Sequence, residues 1–165
     1  MPERGAAAHI PLSQGRSRWN PSQTPSPERP SLYDRLGGVY NIAAVVDDLI
    51  DRVMSDARLN ANPLVDEAHH RVSAAGFKYY VTEMVCWAAG GPQRYSGRTM
   101  GDSHRHLMIT DDEWDAFMDD VRTSLDRFAV PQAEQEELRA IVEGTREAIV
   151  TAPRKEALEQ RAEAR

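Results

Sequence analysis

Between Tyr40 and Met54 the apolar residues Ile42, Val45, Val46, Leu49, Ile50 and Val53 recur at steps of three and four, with Asp47, Asp48, Asp51 and Arg52 between them. That period gathers the apolar set on one stripe and predicts an amphipathic helix. Gly37-Gly38 just before it breaks whatever short helix Ser31 to Leu36 makes. Asn60-Ala61-Asn62-Pro63 reads as a turn, because the residue before a proline is pushed out of the helical region and Asn tolerates turn dihedrals. A second helix is expected from about Asp66 to Ala89, with Phe77, Val81, Met84, Val85 and Ala88 as its inner stripe and Gly90-Gly91-Pro92 as its end. Gln93 to Gly101 follows as an extended loop leading into a short helical turn around His104. Thr110-Asp111-Asp112-Glu113 has the pattern of a capping box and starts a helix that carries Trp114, Phe117, Met118, Val121, Leu125 and Phe128 on one face. Pro131 suits the first turn of a last helix with the stripe Leu138, Ile141, Val142, Thr145 and Ile149. No strand-like alternation of useful length and no internal repeat interrupts this series, so the expected fold is all-α.

The two ends have a different character. Residues 1–30 mix Pro, Ser, Gln and Arg with almost no contiguous apolar run, which predicts a disordered leader and neither a secretory segment nor a spanning helix. Residues 153–165 form a charged tail, leaving 31–152 as the domain. A chain of 165 residues, 41% hydrophobic, suits one soluble unit with a single core. The net charge of -6, with acidic residues scattered through the helical stretches, argues against a nucleic-acid or anionic-membrane surface. The lone Cys86 rules out an intramolecular disulfide and a multi-cysteine zinc site, and fits a reducing cytoplasm. His9 and Trp19, inside the leader, are given no role.

Of the five histidines, His104 has the most informative neighbours. On a helical turn Met100, Leu107 and Met108 share its face, so the ring is expected to point inward. A buried imidazole needs a hydrogen-bond partner or a metal, since leaving it unsatisfied costs about 1–3 kcal/mol. From the residues alone both readings stay open, the satisfied core histidine being the commoner. His106 shares a face with Asp102 and is expected in solvent. His69 and His70, among Glu67, Arg71 and Ser73, are expected to be exposed. No Ser-His-Asp set, phosphate-binding glycine loop or paired carboxylates support hydrolysis or phosphoryl transfer.

In order and spacing, Ser31-Leu-Tyr-Asp-Arg-Leu-Gly-Gly38, then Ile42 to Val53, then Gly90-Gly-Pro-Gln-Arg-Tyr-Ser-Gly97, Met100, His104, Leu107 and Ile109-Thr110 resemble the group I truncated hemoglobins over about residues 31 to 150. The resemblance implies a globin-like, truncated two-over-two helical sandwich holding heme b (iron protoporphyrin IX). His104 falls at the proximal histidine, the metal ligand. Tyr95 and Arg98 match the region that approaches the heme propionates, and Phe117 and Trp114 match positions beside the porphyrin or in plain core. The family's oxygen-bonding tyrosine is Ile50 here, its facing glutamine is Val81, and the pocket-gating position is Phe77. Tyr80 is the nearby side chain able to offer a polar group, if it does not point to solvent. Asn62-Pro63 replaces the phenylalanines that wedge the heme. The implied function is reversible binding, and so transport, of diatomic gases (O2, NO, CO), with faster release than the family norm. Nitric-oxide dioxygenation would need an external reductase, and a heme-free interaction or sensor module is the rival reading.

Overall fold

A computed structural model describes residues 29–152. The expected leader, apart from its last two residues, and the whole of the expected tail lie outside the described residues. Within them run α1 (Leu32–Arg35), α2 (Gly38–Ser55), α3 (Ala57–Asn60), α4 (Pro63–Arg71), α5 (Ala74–Ala88) and α6 (Met100–His104). A 3-10 turn (Arg105–Leu107) leads to α7 (Asp111–Arg127), α8 (Gln132–Glu143) and α9 (Arg146–Ile149). Among the described residues there is no strand, only an isolated parallel bridge between Ile109 and Val150. No helix there is long and apolar enough to cross a membrane.

The period seen between Ile42 and Val53 is realised in α2, which buries Ile42, Val46, Leu49, Ile50 and Val53. Each such side chain contributes about 1.5–3 kcal/mol on leaving water, so this stripe is a main source of stability. It starts where expected: Gly37 and Gly38 have φ of 86° and 78°, left-handed values that a side chain disfavours. α2 packs on both α5 and α7, and α7 packs on α8. The capping box of α7 is formed in both directions between Thr110 and Glu113.

Polar staples join these layers. Asp48 of α2 accepts from Ser124 Oγ of α7 at 2.8 Å, from Arg127 at 2.7 Å and from Arg52 at 2.8 Å. Those donors outweigh its partial burial, and its carboxyl sits below the usual aspartate range. Lys78 of α5 reaches Asp47 and Asp51 of α2 at 2.8 and 2.7 Å. Arg35 of α1 meets Glu134 and Glu137 of α8.

Several expectations need correction. The helix expected from Asp66 to Ala89 is two helices, because Val72 and Ser73 are extended and Ser73 caps α5 through the Gly76 amide. The predicted stripe of α5 is only half-buried, and Ala88 is exposed; Cys86 and Ala89 are the buried residues of that stretch. The physical reason is that the stripe borders a cavity. The last helix is interrupted at Gly144 and Thr145. Phe128 ends up 42% exposed, since it falls past the final turn of α7. Met108 does not share the inward face of His104: it adopts a left-handed conformation with φ of 53° after the 3-10 turn and faces solvent.

Candidate functional site

A cavity of about 1570 Å³ lies between α2, α5, α6, α7 and the segment that joins α5 to α6. Its walls include Ile50, Phe77, Tyr80, Val81, Tyr95, Arg98, His104 and Phe117, so the fold brings together all the side chains singled out in the sequence. α2 contributes Ile50, 1% exposed, and α5 contributes Phe77 and Val81 at the helical spacing that puts them on one face. These make an apolar wall with no hydrogen-bond donor.

His104 stands at the end of α6. Thr99 caps that helix by accepting from Asp102 N, and the ring Nδ1 lies 2.9 Å from the Met100 carbonyl one turn back. A carbonyl can only accept, so Nδ1 carries the proton and Nε2 presents a lone pair. Burial pulls the imidazole pKa below its ordinary value, partly offset by the Met100 bond, which keeps the ring neutral near pH 7. Nε2 has no protein partner among the described residues. His106, as expected, is exposed.

Behind His104, Trp114 is almost fully buried and stands 5.6 Å from Phe117, centroid to centroid. Trp114 Nε1 donates to Glu143 at 3.0 Å, which fixes the indole against the cavity. At the rim, Tyr80 is 46% exposed, its ring edge-on to Tyr79 at 5.5 Å. Tyr95 is half-buried, and burial, then the charge of Glu83, push its phenol up. Arg98 is exposed and has no carboxylate partner among the described residues. The segment carrying Tyr95 is tied to α5 by Glu83, which accepts from Ser96 N and Oγ and from Tyr79 OH.

Two residues were misjudged in the sequence. His69, expected in solvent, is half-buried and lines the cavity; His70 is exposed as expected. The signal was the spacing Val65, Ala68, His69, which puts the imidazole beside the apolar residues of α4 that pack inward. Asn62 is more than a turn residue. Its Oδ1 caps α4 at Leu64 N, and its Nδ2 donates to Leu107 O at 2.9 Å and to Glu113 at 3.3 Å. It therefore binds the start of α4 to the turn that follows His104.

The bacterial-like globin family model matches residues 31–151. The group 1 truncated hemoglobin of Synechocystis sp. is 30% identical over 107 residues, 62% of this chain and 81% of that protein. That of Tetrahymena pyriformis is 23% identical over 116 residues, 70% of this chain and 91% of its own length. The crystal structure of the Tetrahymena pyriformis protein aligns with a TM-score of 0.65 at 22% identity, over 73% of this chain and 98% of that one. The 2/2 hemoglobin of Synechococcus sp., in the cyanomet state with covalently attached heme, aligns with the same TM-score at 26% identity and the same coverage. With a family match spanning nearly the whole described domain and a backbone shared with truncated hemoglobins, the chain belongs to the bacterial-like globin family and has the truncated two-over-two globin fold.

Proposed function

We propose that this globin holds heme b in the cavity through His104 and takes a diatomic gas, O2, NO or CO, on the side of Ile50, Phe77 and Val81. The observation that carries the reading is a neutral imidazole, its Nδ1 committed to the Met100 carbonyl, on the wall of a cavity larger than the ~300–1,000 Å³ of most small-molecule sites. Protein interiors close such spaces with side chains when nothing else fills them, which disfavours the heme-free alternative. Among the described residues no group of three His, Cys, Asp or Glu side chains could hold a bare ion. A single anchoring nitrogen therefore suits a cofactor that brings its other ligands with it. Heme, if bound, would be held by His104 and would supply an iron able to take a small gas as a further ligand.

The chain's own residues then have distinct tasks. Met100 O fixes the tautomer and the ring direction of His104, the role that outer partners of metal-bound histidines play. Trp114, Phe117 and Leu107 keep water from that side. Arg98 and Tyr95 at the rim offer a cation and a hydroxyl to the carboxylates of a propionate-bearing ring. Ile50, Phe77 and Val81 exclude water and donate nothing, so a polarised ligand lacks a hydrogen bond worth about 1–3 kcal/mol and leaves about 5–150 times faster than from a site that has one. Hemin titration tests the reading: the protein gains a Soret band that His104→Ala abolishes or shifts, whereas a folded protein that stays colourless refutes it.

A further inference from the structure

Ion pairs account for the cations of the described residues almost everywhere except beside the cavity mouth. Arg29, Lys78 and the arginines of α1 to α4, α7 and α9 each meet a carboxylate. Arg139 of α8 acts on the charge of Glu143. Arg94, Arg98 and Arg105 are exposed, and none of them has an ion pair among the described residues. All three follow α5 on the stretch that runs back along it and into α6. Gly91 N donates to Cys86 O at 2.8 Å and Ser96 N to Glu83 at 3.2 Å, which lays Arg94 alongside the turn of α5 from Glu83 to Trp87. Arg98 borders the cavity, and the Arg105 guanidinium lies over Gly101 at the start of α6. Two carboxylates share the region: Glu83, engaged by Ser96 and Tyr79, and the exposed Asp102. Beside these cations α5 exposes a large aromatic surface, for Trp87 is 56% and Tyr80 46% exposed although both border the cavity.

Exposed tryptophan and tyrosine next to unpaired arginine is the composition of protein-interface hot spots, and free guanidinium groups call for carboxylates. The net charge of -6 repels an acidic protein from the rest of the surface, so such a partner is steered to this face. The position of the face says what the partner brings. O2 and CO bind ferrous iron, and the chain's only cysteine, Cys86, is buried, so no thiol of its own restores that state after oxidation. The electron has to come from outside, and the cavity mouth gives the closest approach to the cofactor. We propose that Trp87, Tyr80, Arg94 and Arg105 form the docking face for an acidic one-electron donor protein, with Arg98 shared between that partner and the propionates. The proposal rests on the reading that heme is held by His104. One electron passes from the reduced donor to ferric iron, which becomes ferrous; no bond forms or breaks, and the oxidised donor departs.

The test uses the full chain loaded with hemin in the ferric form and a plant-type ferredoxin, an acidic iron–sulfur protein, as the donor. Stopped flow under carbon monoxide reads the arrival of the electron as the ferrous carbon monoxide spectrum, and calorimetry with oxidised ferredoxin reads docking without turnover. At low salt, Arg94→Glu and Arg105→Glu together should slow reduction and weaken docking by about tenfold or more, and Trp87→Ala should weaken docking by a similar factor. Salt should slow the wild type and barely touch the double variant. Reduction by dithionite, which needs no docking, should stay near the wild-type rate in the double variant. Arg122→Glu with Arg139→Glu makes the same charge change elsewhere and should leave ferredoxin docking as it is. Equal slowing by that second pair would mean that net charge alone is at work and would overturn the proposal, as would wild-type reduction that salt does not slow. Binding to phosphatidylglycerol vesicles that the Arg94 and Arg105 variant loses, with ferredoxin reduction untouched, would assign the face to a membrane and overturn it as well. Failure of the wild type to take up hemin would instead remove the parent reading, and this one with it.

Discussion

The two sides of the cavity are built by different physics. On the α6 side hydrogen bonds set the direction of the groups: Thr99 caps the helix, Met100 O holds the His104 ring, and Asn62 ties the following turn to Glu113. The α2–α5 side presents Ile50, Phe77 and Val81 to the cavity with Tyr80 at the rim, and Asp48 with Ser124 and Lys78 with Asp47 and Asp51 are its interhelix polar contacts. Direction is a property of hydrogen bonds and not of apolar packing. The first side can therefore aim a single nitrogen, while the second can only decide what fits and how dry it stays.

That contrast can be broken most severely by His104→Ala. Heme retention should fall by more than the roughly 10–100-fold that loss of a mere supporting partner costs a metal site, as measured by heme transfer to apomyoglobin. Next in size, Ile50→Tyr would put a hydroxyl into the apolar side, and the oxygen dissociation rate in stopped flow should drop by about 10–100-fold. If it does not, the α2 side does not face the bound gas. Asp48→Ala sharpens the division of labour. It leaves the fully buried Ser124 hydroxyl without its acceptor, so urea unfolding should show a loss of about 1–3 kcal/mol, with gas kinetics unchanged.

A smaller effect concerns pH. Asp120, on α7, is pushed up to about 6, first by burial and then by the neighbouring charge of Asp56. The folded protein thus binds more protons than the unfolded chain between about pH 4 and 6, and this group's contribution to stability falls as pH rises through that window. Asp120→Asn should remove the loss and raise the melting temperature at pH 7 by about 4 °C, the shift that ~1 kcal/mol gives in a domain of this size. At pH 4 the variant and the wild type should melt together. The slightest change is expected from Glu83→Gln: faster amide exchange at Ser96 with no shift in melting temperature.

Local physics was legible in the chain. The stripe from Ile42 to Val53, the left-handed glycines before it and the Thr110–Glu113 box each depend on residues within a turn or two of one another. The inward turn of His104 was legible for the same reason, even though Met108 was wrongly placed beside it. What stayed hidden depends on distant partners. His69 sits among Glu67, His70 and Arg71 and looks solvated until α3 and α5 bring Asn60 and Phe77 to it. The break at Val72 and Ser73 carries neither glycine nor proline, so the apolar period reads straight through it. Asn62 looked like a turn residue because its acceptors, Leu107 O and Glu113, arrive only with the fold.

Thr151 and Ala152 both donate their amides to Ile109 O at 3.0 Å, beside the bridge from Ile109 to Val150. The stretch just past His104 is therefore buttoned to the far end of the domain. During synthesis the helices that form the apolar side emerge first, whereas the imidazole-bearing side waits for Thr151 and Ala152 before its backbone contacts are complete. A nascent globin of this design would become competent to capture its cofactor only once Thr151 and Ala152 have left the ribosome.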